Sequence, residues 1–350
     1  MVEYTLKEIQ SQPEVWNSLL SKSSDIERQF ETIREECSKS DFIFIGCGTS
    51  YYLALSAASV YAKYTSKNAK AAAASDVFIY PNIIFNHKKD MYQSVLISRS
   101  GTTTEVIRAA KTIKTKLHQS TCAISCHPDS ELVNICDHAF IIPEANEKSV
   151  AMTRSFTSML LLIQLLATIQ SENTAFRDEL TELPKVGKRI IDAYRHMSEK
   201  IFEENRFSKF VYLGQGPFYG LACESMLKIK EMSLSSSEAY HSLEFRHGPM
   251  SMADEDMLLT FFISDHGKKE EIALLKEMKR LGVKTLVICE KSDAAMDSAA
   301  DYLVEMNSGI SDFARLVLTM LVPQFLGYYC AKSKGLDPDN PKNLTQVVEI

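Results

Sequence analysis

Phe42-Ile43-Phe44-Ile45-Gly46-Cys47-Gly48-Thr49-Ser50 sets the reading of this 350-residue chain. The four apolar residues make a run of the kind found in strands buried on both faces. The glycines end the run in a tight turn, and Tyr51–Tyr64 continues with helical spacing. The same grammar recurs downstream. Ser94–Ser98 is an apolar run, Arg99–Thr104 a small polar turn, and Glu105–Leu117 is spaced as a helix. Cys122–Ser125, Pro128–Cys136 and Ala139–Ile142 then read as strand, helix, strand. Strands alternating with helices predict an α/β fold, a parallel sheet with helices on both faces.

Half-way along, the pattern restarts. Phe210-Val211-Tyr212-Leu213-Gly214-Gln215-Gly216 echoes the opening stretch, and Leu259–Ser264 echoes the run ending at Ser98. Leu286–Cys289 matches Cys122–Ser125, and Ala300-Asp301-Tyr302-Leu303 matches Asp137-His138-Ala139-Phe140. The offset stays between 163 (Asp137 to Ala300) and 168 (Phe42 to Phe210). Four echoes in order indicate two copies of one domain, joined by helices between Ser155 and Ser208. Before the first copy, Thr5 is placed to cap a helix that Pro13 interrupts, and Asp25–Lys39 reads as a charged amphipathic helix. The expected organisation is a helical segment over 1–24, domains over 25–165 and 195–332, and a tail over 333–350.

Composition narrows the function. A formal net charge of −6 is a poor match for a nucleic-acid backbone, which calls for a basic surface. No stretch approaches the ~18 unbroken apolar residues of a membrane span, and the first residues lack the apolar core of a signal segment. A soluble, cytoplasmic protein is expected. Cys47, Cys122, Cys223 and Cys289 lie in or beside apolar runs, as small core residues do. Cys122 and Cys126 have no second ligand pair at zinc spacing, so no metal is expected.

Ser98-Arg99-Ser100-Gly101-Thr102-Thr103-Thr104-Glu105 lies between a strand and a helix, with five hydroxyl side chains in the seven residues from Ser98 to Thr104. Backbone N–H groups at a helix start attract anions, and the hydroxyls add donors. Thr49 and Ser50 supply a second wall from the neighbouring turn. A hydroxyl-rich helix cap in an ordinary loop is the competing reading. The stretch is neither a Gly-Lys-[Ser/Thr] P-loop nor a Gly-x-Gly-x-x-Gly dinucleotide turn. In the second copy the equivalent turn, Ser264-Asp265-His266-Gly267-Lys268, carries an aspartate that would repel phosphate, so one phosphate site is expected.

The helix expected over Phe218–Met232 places Glu224, Lys228 and Glu231 on one stripe at i, i+4, i+7. Spacing alone reads as a solvated, salt-bridged face. Downstream, Glu244-Phe245-Arg246-His247-Gly248-Pro249 sets a carboxylate, a guanidinium and an imidazole in one turn, a better setting for a working histidine than most.

Together, Gly46-Cys47-Gly48-Thr49-Ser50, Ser98-Arg99-Ser100-Gly101, Lys228-Ile229-Lys230-Glu231, Glu238-Ala239-Tyr240 and Arg246-His247-Gly248-Pro249 closely resemble the tandem sugar isomerase (SIS) family. The resemblance covers nearly the whole chain. It implies two repeated domains, each a flavodoxin-like three-layer parallel sheet flanked by helices. It also implies that Thr49, Ser50, Ser98, Arg99 (largely through its backbone), Ser100 and Thr103 hold a sugar phosphate. Glu231 becomes the base that shuttles a proton between C1 and C2, with Lys228 on the same face. A carboxylate suits that task because a buried site can raise its pKa. His247 assists ring opening, reaching across from the second subunit of a homodimer. No cofactor is called for.

Two departures separate the chain from the family's aminotransferase. That enzyme carries a Schiff-base lysine in its tail, whereas Pro341–Val348 has Gln346 at that place, and an amide cannot form an imine. The chain is also expected to lack that enzyme's glutaminase region. Both departures favour releasing an amine over installing one, and Ser149–Phe156 resembles the stand-alone deaminases and deglycases. The expected activity is an isomerising deaminase of an amino-sugar phosphate, glucosamine 6-phosphate first. A fructosamine-6-phosphate deglycase, an aldose–ketose phosphate isomerase and a non-catalytic phosphosugar sensor remain the alternatives.

Overall fold

A computed structural model of the chain describes residues 3–36, 40–85 and 92–347. The end of the expected Asp25–Lys39 helix and the last three tail residues lie outside that set. The protein divides into two compact units. The first comprises the described residues of Ser11–Thr181 and Thr345–Ile350, the second those of Met1–Gln10 and Glu182–Leu344.

In the first unit the strands are β1 (Asp41–Gly46), β2 (Ala69–Ala73), β3 (Tyr92–Ile97), β4 (Thr121–Ser125) and β5 (His138–Ile141). They pair in parallel in the order β2-β1-β3-β4-β5. In the second unit β6 (Lys209–Gly214), β7 (Ser236–Tyr240), β8 (Met257–Phe262), β9 (Lys284–Cys289) and β10 (Tyr302–Glu305) pair in parallel as β7-β6-β8-β9-β10. The two orders are the same order, and helices of 9 to 17 residues follow β1, β3, β6 and β8. The α/β fold with two repeated parallel sheets is therefore observed.

Two of these strands were not legible. β2 reads Ala-Lys-Ala-Ala-Ala and β7 Ser-Ser-Glu-Ala-Tyr, neither of them an apolar run. Pairing with β1 and β6 holds them extended where their own propensity would not.

The duplication extends to side chains. A Cβ on Gly46 would come within 2.5 Å of the Ser50 backbone, and one on Gly214 within 2.3 Å of Phe218 O. Each strand thus runs so close to the helix it feeds that only glycine fits. Asp137 Oδ2 accepts from Thr121 N and Oγ1 at 3.0 and 2.7 Å, and Asp301 Oδ2 accepts from Thr285 N and Oγ1 at 3.0 and 3.1 Å. A lysine closes each pair, Lys114 in one copy and Lys279 in the other.

The N-terminal helix differs from expectation in its cap. Thr5 lies inside the Tyr4–Gln10 helix, and the carboxylate of Asp339 accepts from Tyr4 N and Thr5 N at 2.8 and 2.7 Å. A cap supplied from 334 residues away leaves no local signature.

Candidate functional site

In an open parallel sheet, ligands bind at the carboxyl ends of the strands where successive connections leave in opposite directions. In the first unit that point lies between β1 and β3, whose following turns are Gly46–Ser50 and Ser98–Thr103. Thr49 and Ser50 open the Thr49–Thr65 helix and are buried. The Cys47 thiol between them and the strand is pushed up to about 12 by burial, with Glu105 adding to the shift. Burial thus disfavours a thiolate at this position.

The Ser98 turn is organised from within. Ser98 Oγ accepts from Gly101 N at 3.1 Å and lies 3.2 Å from Thr103 Oγ1. Ser100 Oγ accepts from Thr102 N and Oγ1, both at 3.2 Å. Gly101 has a φ of +65° and rests on Ser130, whose Oγ a Cβ would meet at 2.0 Å. The Thr104–Thr112 helix starts directly after this turn.

Arg99 is 7% exposed, and its guanidinium is committed to backbone. It donates to Ser149 O at 3.3 Å, Val150 O at 3.1 Å and Gln346 O at 3.2 Å. Glu147 Oε2 lies 3.5 Å away. Glu147, which the motifs did not single out, also accepts from Thr153 N and Oγ1 at 2.6 Å each and from Arg154 N at 2.7 Å. Its carboxylate thereby shapes the loop before the Arg154–Ser171 helix. The Gln346 amide donates to Lys148 O at 2.8 Å. A cavity of about 430 Å³ opens here, with Arg99, Ser100, Thr102, His127, Glu147 and Gln346 in its wall. That wall comes from the loops after β3, β4 and β5 and from the tail, whereas Thr49 and Ser50 belong to the turn after β1.

In the second unit, Glu224, Lys228 and Glu231 ride on the Phe218–Ser233 helix. The solvated face suggested by spacing is not what forms: Glu224 and Lys228 are 0% exposed, and the Glu231 side chain 19%. Lys228 Nζ lies 3.1 Å from Glu224 Oε1 and 2.5 Å from Glu231 Oε2. Burial works against the ammonium, but its two carboxylate neighbours outweigh this and hold its pKa above the ordinary range. The helix is covered by Leu321–Ser333, at whose Gly327 a Cβ would press on Met232 Sδ at 3.0 Å and Lys228 O at 3.3 Å. A periodic charge pattern cannot reveal such a cover, because the covering helix lies about a hundred residues further on.

Burying an ion cluster rarely stabilises a fold more than apolar residues of the same volume would. Here the cluster leads from a sealed interior to one partly accessible carboxylate, in a fixed orientation. That arrangement suits proton transfer at a carbon. His247 is exposed on the turn after the short 3₁₀ helix Ser242–Arg246, with its N–H donating to Glu244 O at 3.0 Å. The predicted residues thus fall into four places: the two hydroxyl turns of the first unit, the Lys228–Glu231 pair, and the His247 turn.

Comparison with known proteins gives a consistent picture. The SIS domain model matches residues 37–169 and 206–327. A glutamine–fructose-6-phosphate aminotransferase (isomerizing) of Francisella tularensis subsp. tularensis is 27% identical over 99% of this chain and 59% of its own length. This chain therefore spans about six-tenths of that relative. A glucosamine-6-phosphate deaminase structure from Thermotoga maritima is 29% identical, with a TM-score of 0.74 and coverage of 99% of both chains. The tagatose-6-phosphate ketose/aldose isomerase of Escherichia coli shares the fold, with a TM-score of 0.85, 22% identity, and coverage of 97% of this chain and 95% of that one. The chain belongs to the SIS domain family, and it carries that domain twice.

Proposed function

We propose that the protein is a phosphosugar enzyme, an isomerising deaminase that converts glucosamine 6-phosphate and water to fructose 6-phosphate and ammonia. The observation that carries this reading is the buried Glu224–Lys228–Glu231 cluster with its single accessible carboxylate. Likeness to a glucosamine-6-phosphate deaminase over the full length of both chains supports the substrate. Gln346, an amide unable to form an imine, supports removal of the amine. The protein works in the cytoplasm as a homodimer, with His247 serving the partner's site.

In this reading Thr49, Ser50, Ser98, Ser100, Thr103 and the Arg99 backbone hold the phosphate. His247 assists ring opening. Glu231 then takes the proton from C2, and the C2–H electron pair moves into a C1–C2 double bond as the C1 carbonyl becomes a hydroxyl. Returning a proton to C1 leaves a C2=N imine. Water adds at C2, nitrogen departs as ammonia, and the ketone remains. Lys228 keeps one Glu231 oxygen engaged, which fixes the direction of the other. Proton transfer by a positioned side chain supplies ~10²–10⁴-fold of rate.

The test is ammonia release from glucosamine 6-phosphate, with fructosyl-lysine 6-phosphate assayed beside it. Ammonia and fructose 6-phosphate from the first are expected. Turnover of the second alone would replace the deaminase reading with a deglycase, and turnover of neither would overturn both.

A further inference from the structure

The second copy keeps the serine–glycine bond of the turn but fills the turn from inside. Gly267 N donates to Ser264 Oγ at 2.9 Å, the same relation as Gly101 to Ser98. In the first copy the serine hydroxyl pairs with Thr103. In the second, Ser264 N and Oγ both turn to Glu271 Oε2, at 2.9 and 3.1 Å. Asp312, 3% exposed, accepts from Asp265 N at 3.0 Å and lies 2.7 Å from His266 Nδ1. The protein's own carboxylates thus occupy donors of a turn that is built like an anion cradle.

Glu271 has a second oxygen, and it leads elsewhere. Ser242 Oγ donates to Glu271 Oε1 at 2.8 Å. Ser242 opens the 3₁₀ turn that ends one residue before His247. The same helix, Lys268–Arg280, grips that turn again through Glu277, which accepts from Arg246 Nε and an Arg246 terminal nitrogen at 2.8 and 3.1 Å. Between these two grips Phe245, 1% exposed, packs into the core with Leu274 and Met278. Residues 242, 245 and 246 are therefore fixed, while His247 stands exposed beside Gly248, whose φ is +122°.

Glu271 is 1% exposed, and the partners that reach it are two hydroxyls and a backbone N–H. Burial pushes its pKa up, which marks the site as costly for a carboxylate. Packing alone would be served as well by an apolar side chain. We propose that Glu271 is a positioning residue: it ties the turn after β8 to the Ser242–Arg246 turn and so sets where His247 is presented. This rests on the role given to His247 above.

The experiment is a double-mutant cycle on the full-length protein, read as kcat and KM for glucosamine 6-phosphate. Ser242→Ala removes one hydrogen bond from the clamp and leaves Glu271 held by Ser264. Glu271→Gln weakens the clamp at its centre. Each is expected to lower kcat about tenfold with KM little changed, since small misplacement of a reacting group is costly. In a His247→Ala background neither should lower kcat further. Losses that multiply with that of His247→Ala would overturn the positioning role alone, as would a lowered melting temperature with unchanged kcat in Ser242→Ala. Full activity in His247→Ala would overturn the role of His247 and the clamp with it.

Discussion

Lys228 is the centre of the buried ion cluster on the Phe218–Ser233 helix, between Glu224 and Glu231. Its spacing from Glu224 and Glu231 is written plainly in the sequence, yet spacing made the trio a solvated stripe, and the fold buries two of the three completely. The reason lies outside the helix, in the Leu321–Ser333 cover that Gly327 allows to approach. A test at this scale separates stability from chemistry. Lys228→Met leaves Glu224 buried without its cation and should cost about 3–5 kcal/mol of stability. Adding Glu224→Leu removes the stranded charge and should restore most of that in a denaturant melt, while the proposed deaminase activity stays lost. Activity recovering along with stability would make the cluster a structural device. The geometry of the hydroxyl turn after β3 was more legible, because hydroxyls and a glycine between strand and helix announce themselves locally. Glu147 was not: its role depends on Arg99 and on Thr153 to Ser155 meeting it in space.

At the level of elements, apolar runs located β1, β3, β4, β6, β8 and β9 because parallel strands buried on both faces must be apolar throughout. β2 and β7 escaped because a neighbour's backbone, not their own side chains, makes them strands. The element that records the duplication best is the aspartate preceding β5 and β10. Burial alone would raise the pKa of Asp301, but hydrogen bonds from Lys279 and Thr285 and the nearby ammonium charges outweigh it and hold it low. Asp137 is lowered in the same way by Lys114 and Thr121. A depressed folded pKa contributes stability that is complete above the unfolded value of 3.8 and fades as pH falls through the folded value. Asp301→Asn should therefore melt lower than the unaltered protein at neutral pH, with a gap that closes below about pH 4. A gap persisting undiminished to pH 2 would contradict the linkage.

The chain carries one domain twice, and the matching turns of the two copies are filled differently. The first copy keeps its turn lined with hydroxyls at the switch point of the sheet. The second fills the matching turn with Glu271 and Asp312 and carries Glu231 and the His247 turn. Four ordered echoes showed the repeat, and Asp265 showed that the matching turn of the second copy carries a carboxylate. It did not show that carboxylates from 271 and 312 complete the replacement, since those bonds exist only once the helix after β8 is packed. The proposed function rests on Glu231 moving the proton at C2 of a bound amino-sugar phosphate. It is tested most directly with glucosamine 6-phosphate deuterated at C2, given to the unaltered protein and to Glu231→Gln. The unaltered protein is expected to strip deuterium from C2, delivering it to C1 of fructose 6-phosphate or to water, while Glu231→Gln leaves it in place. Loss of deuterium from C2 at an equal rate in both would show that Glu231 is not the base.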